Sequence, residues 1–427
     1  MGKRIHYLLY FLAILVLFAA CSDQFAGALF KGQYPHQRYL TQLSNAGLQH
    51  SVLYKQWEEA AVRSLTHPTA ITIPHHESAY LAPAQPLAIG YSFDARQGEQ
   101  LQVDVAVRSS IFTQVFVDLF EVPQDTAHNH KHLISADTGS TALSWIVRRD
   151  GQYLLRIQPE LLAELSFSLR LTAEPSLANP VEPAAKQHIG SVFGDARDGG
   201  RRTHEGIDIF APRLTPVLAS ADGVVSRVGD NRLGGKVVWL RPKGQGVTLY
   251  YAHLDSQLVK TGQLVKTGDT VGLMGNTGNA RTTPPHLHFG IYGRGGAIDP
   301  LPFVRPEKST PPKIRVDTTR LGDTLRIASE LGMGVSRHSP AIVEAAYRNG
   351  YRVVLPDSGK YFIGTDHLKP LTGIRPIRLD QPHTLYARPD TSSARITELP
   401  IGERTAVIAE FAEFLLIERP LRGWILR

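Results

Sequence analysis

A single cysteine, Cys21, in 427 residues leaves no intrachain disulfide to form and too few thiolates to close a structural zinc site. Long apolar runs are also missing at the one place that invites them. The run Tyr7 to Phe18 is too short for a membrane-spanning helix, which needs about 20 residues. Charge is close to balanced: the net charge of +7 includes Lys3 and Arg4, and no acid accompanies them in residues 1–20. So mild a surplus is no argument for a nucleic-acid partner, although it suits an anionic polymer surface. The composition is otherwise that of a soluble protein, and at about 100 to 200 residues per domain the length implies three or four domains.

Lys3 and Arg4, the apolar run and Ala19-Ala20 have the layout of a secretory signal, placed at residues 1–20. Phe18-Ala19-Ala20-Cys21 resembles a bacterial lipobox, with Phe where Leu is usual. The resemblance implies that Cys21 becomes lipid-modified, heads the mature chain and holds it at a membrane. It would also account for a lone thiol in an oxidising compartment. Ser22 supplies no acidic retention signal, so the expectation by analogy is a wall-facing, periplasmic outer-membrane lipoprotein of the bacterial envelope.

Two short motifs carry the chemistry: His204-Glu-Gly-Ile-Asp208 and His286-Leu-His288. A catalytic zinc takes three ligands from His, Asp or Glu and leaves one position for water. In an extended strand, positions four apart lie about 13 Å from each other, too far for both to reach one ion. The chain must bend between His204 and Asp208, and Gly206 at the midpoint permits that. A bent strand or bulge serves; a helix is disfavoured by Gly206, Ile207, Ile209 and Pro212. His286 and His288 alternate around Leu287 and share one face of a strand, so one can bind a metal while the other reaches the attacking water. Another His, His253, ends a run that reads as a strand, Val247 to Tyr251.

Residues from about 186 to 305 resemble the lysostaphin-type (LytM-like) zinc metallopeptidases, bacterial cell-wall endopeptidases. Phe193-Gly-Asp195, His204-Glu-Gly-Ile-Asp208, Thr215 to Gly223, Tyr250-Tyr-Ala-His253-Leu, Gly272 to Gly278 and His286-Leu-His-Phe289 follow the family's order. The resemblance implies that His204, Asp208 and His288 ligate Zn2+. It implies that His286 is the general base, that His253 orients or stabilises the tetrahedral intermediate, and that peptidoglycan is the substrate. Leu214, Gly290 and the stretch Asn279 to Pro285 depart from the family and bear on specificity. Arg197, Arg201, Arg202, Arg213, Arg227 and Arg232 surround the first motif, either as solvated loop residues or as contacts for substrate carboxylates.

The expected architecture is mainly β. Residues 21–70 read as a spacer with one helix over Leu48 to Leu65, ended by Pro68. Period-two runs from 75 to 175 indicate an antiparallel β-sandwich. An antiparallel β-sheet zinc peptidase domain follows at 186–305, between Pro-rich linkers at 175–185 and 302–312. Residues 376–427 resemble a bacterial SH3-type domain, a small β-barrel, and 314–371 are a weaker candidate for a second copy. Tyr386 and Trp424 could present an apolar binding surface, though core is the better reading for Trp424. His75-His76 and His128, His130 and His132 are expected to be decoys, the last three in a polar connection between strands. The rival to catalysis is a non-catalytic regulator of other wall hydrolases, a type that typically lacks zinc ligands; all five functional positions are present here. A protein regulator, or an N-terminal segment that covers the site, is a further expectation.

Overall fold

A computed structural model describes residues 32–82, 87–123, 130–305, 310–332 and 335–427; Cys21, the apolar run before it and His128 lie outside them. The architecture is mainly β. Two helices open the described chain, α1 (Pro35–Asn45) and α2 (Val52–Thr66), where one was expected. Pro35 occupies the first turn of α1, where its missing N–H costs nothing. Ser51 caps α2 by accepting from the Tyr54 amide, which starts that helix later than its apolar spacing suggested. Both helices lie against one sheet: the Trp57 indole donates to the Pro159 carbonyl at 2.8 Å, and His36 stacks on Trp57.

That sheet has five strands, in the order Thr69–Ala70, Ile89–Ala95, Gly151–Pro159, Val115–Glu121 and Lys131–Ser135. It faces a nine-stranded sheet across a common core. Tyr91, Phe93, Leu155 and Ile157 come from one side, and Leu101, Val103, Phe167 and Leu169 from the other. His75 and His76 lie on the strand His75–Leu81 and His132 on Lys131–Ser135, not in a loop. His75 is buried against Glu77, and His132 meets Ser135.

The nine-stranded sheet does not end with residues near it in sequence. Strand Pro340–Tyr347 pairs antiparallel with His75–Leu81, with Ala345 opposite Ala79 and Tyr347 opposite Glu77. Segment 314–371 is therefore joined to the N-terminal sheets by strand pairing while keeping a core of its own around Leu325, Ile327, Val343 and Tyr351. Arg352 crosses the seam, donating to both Glu77 oxygens at 2.8 and 2.9 Å and to Glu344 at 2.7 Å, while the Tyr91 hydroxyl also donates to Glu77. Burial works to raise the Glu77 carboxyl, but Arg352 and His75 outweigh it and hold it at about 2.

The metal-motif region is thus inserted between two strands that pair. The expected linkers at its ends are packed: Leu177, Val181, Phe303 and Val304 belong to its core, Val181 bridges to Val217, and the Phe303 ring fills the space where Gly98 lacks a side chain. That core therefore begins before residue 186. At the C-terminus a six-stranded sheet runs from Arg375–Arg378 to Gly423–Leu426. Tyr386 pairs with Trp424 and both are buried with Ile408, Phe414 and Leu416, so neither ring offers a binding surface.

Replacing Arg352 with Leu leaves the buried Glu77 without its guanidinium partner, with only His75 and Tyr91 against it, and should lower unfolding stability by about 3–5 kcal/mol in chemical denaturation. A second outcome concerns acid. Burial, helped by Arg156, pushes His36 down to about 4 from 6.5. The unfolded chain therefore binds a proton that the folded chain refuses between those values. Docking of α1 should weaken as pH falls from 6.5 to 4, by about 3 kcal/mol, seen as faster amide exchange in α1.

Candidate metal centre

Three antiparallel strands build the site: Ile207–Phe210, His286–Gly293 and Thr248–Gln257. Their register sets Asp208 opposite His288 and His288 opposite Ala252. Alternation sends Ile207, Ile209, Leu287, Phe289, Leu249 and Tyr251 into the core. Asp208, His286, His288 and Tyr250 are left on the opposite face. The apolar residues between the polar ones are therefore what hold the polar ones in place.

His204 precedes the first strand. Its backbone is tied to Asp195 and Gly194 on both sides, at 2.8 and 2.9 Å, which folds the ring back over Asp208. Gly206 lies in between. Its backbone angle is not left-handed; what requires glycine is space. A Cβ there would sit 2.5 Å from the Phe289 carbonyl and 2.7 Å from the His288 ring.

His204, Asp208 and His288 converge as one cluster. His204 Nε2 lies 3.1 Å from Asp208 Oδ1 and 2.9 Å from His288 Nδ1, and His288 Nδ1 lies 3.1 Å from Asp208 Oδ1. Ligands about 2.05 Å from a tetrahedral zinc stand about 3.3 Å apart, so the spacing fits that ion with little movement. The donor set fits as well. His204 Nδ1 faces the Val192 carbonyl at 2.9 Å and must carry the proton, which leaves a lone pair on Nε2. Burial works to raise the Asp208 carboxyl, but hydrogen bonds and charge from His204 and His288 keep it well below the usual carboxylate range. Burial also lowers His288.

Arg197 donates to Asp208 Oδ2 at 2.8 Å and to Ser191 Oγ at 2.6 Å. This member of the basic cluster is engaged with a ligand carboxylate, not held ready for a substrate, and it leaves Oδ1 alone facing the cluster centre. The sequence reading counted Arg197 among solvated or substrate-facing residues. The signal it missed is positional: only the fold reveals that a residue eleven before Asp208 reaches its far oxygen.

His253 and His286 complete the face. Their rings are 4.9 Å apart, and His253 is 5.9 Å from His288. His253 has a left-handed backbone, φ 62°, at a register shift between Thr248–Gln257 and its neighbour Gly235–Pro242. Regular alternation would send it into the core beside Tyr251; the bulge turns it to the metal side. Its Nδ1 donates to the Thr277 carbonyl at 2.8 Å, and His286 Nδ1 donates to the Pro284 carbonyl at 2.9 Å, so both rings present Nε2 as an acceptor. Burial, with His286 nearby, pushes His253 down to about 4. Phe210 stacks on His286 at 4.9 Å and steadies its plane.

Residues 202–300 match the family model of Peptidase family M23. An L-Ala–D-Glu endopeptidase of Bacillus subtilis is 42% identical over 127 residues, covering 27% of this chain and 39% of that protein. A peptidoglycan DD-endopeptidase, ShyC, of Vibrio cholerae is 44% identical over 129 residues, 29% of each chain. An uncharacterized lipoprotein, YgeR, of Escherichia coli is 42% identical over 115 residues, 27% of this chain and 43% of that one. The matched stretch spans less than half of each of these relatives.

Arg197→Gln removes the charge that occupies Asp208 Oδ2. Zinc affinity should fall about 10- to 100-fold in competition with a chromophoric chelator, with the fold retained by circular dichroism.

Proposed function

We propose that this chain is a zinc-dependent endopeptidase that hydrolyses peptide crosslinks of peptidoglycan, anchored to the bacterial envelope by lipid at Cys21. The observation that carries the reading is the meeting of three ligand atoms within 3.1 Å, on the same sheet face as two imidazoles whose Nε2 atoms are free to accept. His204, Asp208 and His288 would hold the ion. When bound, zinc supplies a Lewis acid that polarises the scissile carbonyl and acidifies water.

The chain's own residues do the rest. His286, its Nδ1 proton committed to Pro284, takes the proton of the attacking water at Nε2. His253, neutral at physiological pH and also protonated at Nδ1, accepts at Nε2 and therefore orients that water. In this form Nε2 accepts rather than donates, which supports the orienting role of the two that the family resemblance allowed. The relatives' names specify two different bonds, so the match alone does not choose between them. For a lipoprotein of a two-membrane cell, the direct crosslink between D-alanine and diaminopimelate is the substrate we assign. The lipid anchor draws support from the lipobox-like residues and from a relative named as a lipoprotein. The outer membrane is the assigned location, and residues 376–427 are assigned as an SH3-like unit.

Among the described residues, Arg148 reaches the carbonyls of Gly244 and Gln245, in the turn before strand Thr248–Gln257, and Ala252 lies a further four strand residues on, about 13 Å beyond Thr248.

Crosslinked sacculi incubated with the mature chain should release uncrosslinked stem peptides, identified by mass spectrometry, and release should stop with a zinc chelator or with His204→Ala. His286→Ala should retain zinc yet lose about 100- to 10,000-fold in kcat. A zinc-loaded chain that releases nothing from any wall type would replace this reading with that of a regulator.

A further inference from the structure

One end of the paired sheets carries an apolar tip. Two crossovers between the sheets run side by side there. Residues 109–114 link Glu99–Arg108 to Val115–Glu121, and residues 160–164 link Gly151–Pro159 to Leu165–Pro175. Ser109 Oγ donates to the Glu164 carbonyl at 3.2 Å and the Glu160 amide to the Gln114 carbonyl at 2.9 Å, which binds the two loops into one surface. At their crests Phe112 is 86% exposed, Ile111 75% and Leu162 65%.

The turn between the two helices belongs to the same end. Helix α1 begins beside Tyr34, stacked on His132, which pairs with Phe120; by Tyr39 it has reached Phe116 and the Leu161 amide. Its remaining six residues carry it about 9 Å further, past the end of the sheet. There Leu48, Val52 and Leu53 are also exposed. Apolar clusters of this kind on a soluble surface mark a contact with something else.

We propose that this tip docks on a lipid bilayer. Two observations choose that occupant. Ten residues lie between Cys21 and the first described residue, and the eleven Cα–Cα steps they make can span at most about 36 Å. Tyr34 stacks on His132, which lies opposite Phe120, so it sits about five strand residues, roughly 17 Å, from Val115 at the tip. A lipid at Cys21 can therefore enter the same bilayer that the tip touches. The second observation is orientation. Among the described residues, the contacts that join the metal-bearing unit to the sheets lie at the other end: the Phe303 ring packs on Gly98, where Ser176 is also bonded, and Arg148 donates to the Gln245 carbonyl. Strand Gly151–Pro159 alone puts about 30 Å between the two ends. Seated on its tip, the chain holds its metal face away from the membrane, toward the wall.

The charged groups of the three turns, His50, Lys55, Arg108, Glu160 and Glu164, have no dominant sign, so adhesion rests on apolar burial and neutral lipid suffices. The proposal draws on the lipid-anchor reading only for its partner, and its test uses a chain that cannot be lipidated.

The mature chain carrying Cys21→Ser is floated with phosphatidylcholine vesicles. Co-flotation is expected, reduced about tenfold or more by Phe112→Ser and further by Ile111→Ser with Phe112→Ser. Leu264→Ser, an equally exposed residue on the metal-bearing unit, should leave it unchanged. All three variants should keep the parent Tm, since none of these side chains is in a core. No flotation of the parent, or an equal loss with Leu264→Ser, overturns the proposal while leaving the lipid anchor and the peptidase reading intact. Phe112-dependent self-association without flotation overturns it in favour of a contact between copies of the chain.

Discussion

Three electron-pair donors pressed to within 3.1 Å of one another are the constraint around which the central unit is arranged. Lone pairs at that distance repel, and a proton on any one of them satisfies only its neighbours, whereas a divalent cation satisfies all three. Side chains do not hold such a cluster by themselves. It persists because Asp208 and His288 occupy facing register positions in strands whose other faces are fully buried, so neither can slip without moving Ile207, Ile209, Leu287 and Phe289 out of the core. His204, outside the ladder, is held by its backbone bonds to Asp195 and Gly194 and by the Val192 carbonyl. Gly206 is where this constraint presses hardest, because the His288 ring takes the space of its side chain.

Beyond the ligands the same logic recurs at longer range. The segment bearing the site leaves the nine-stranded sheet after Leu165–Pro175, the chain returns to that sheet at Thr324–Ile327, and Pro340–Tyr347 then pairs with His75–Leu81. Arg352 fixes that pairing. A buried arginine is weak evidence for stability, since desolvation offsets much of its attraction, but it is strong evidence for register: its three short bonds to Glu77 and Glu344 can be made in only one alignment of the two strands. Together with packed connections through Leu177 and Phe303, the seam gives the central unit two firm attachments at one end of the sheets instead of two loose hinges.

The motifs around His204, Asp208, His286 and His288 were legible because the ligand chemistry restricts residue types and because strand periodicity is visible in two or three residues. Strand content from 75 to 175 was legible for the same reason, since one face of each run is apolar. What stayed hidden depends on contacts across long sequence separation. Nothing local announces that Ala345 pairs with Ala79, that Arg197 reaches Asp208, or that a proline-rich stretch such as 175–185 buries Val181. His253 is an intermediate case. Its motif was plain, but plain alternation would have buried it, and only the left-handed residue at a bulge explains how it faces the metal side. Tyr386 shows the opposite case, in which an aromatic ring that could serve a binding surface is spent on pairing across a small sheet with Trp424, itself in the core as its sequence context suggested.

For the proposed peptidase, whose substrate would be a polymer it cannot surround, rigid attachment at one end has a consequence. A peptidase on a flexible leash samples every orientation, and most of them point the site away from its substrate. A site fixed to the far end of a sheet about 30 Å long is presented at a set height and a set facing, provided the near end is itself fixed. A single lipid chain fixes position but not orientation, because the tether beyond it can swivel. A second, apolar contact at the near end removes that freedom without adding any bond at the site, and so raises the effective concentration of substrate by geometry alone. The exposed crest of Ile111, Phe112 and Leu162, placed opposite the attachment of the central unit, is in the position that such a second contact requires.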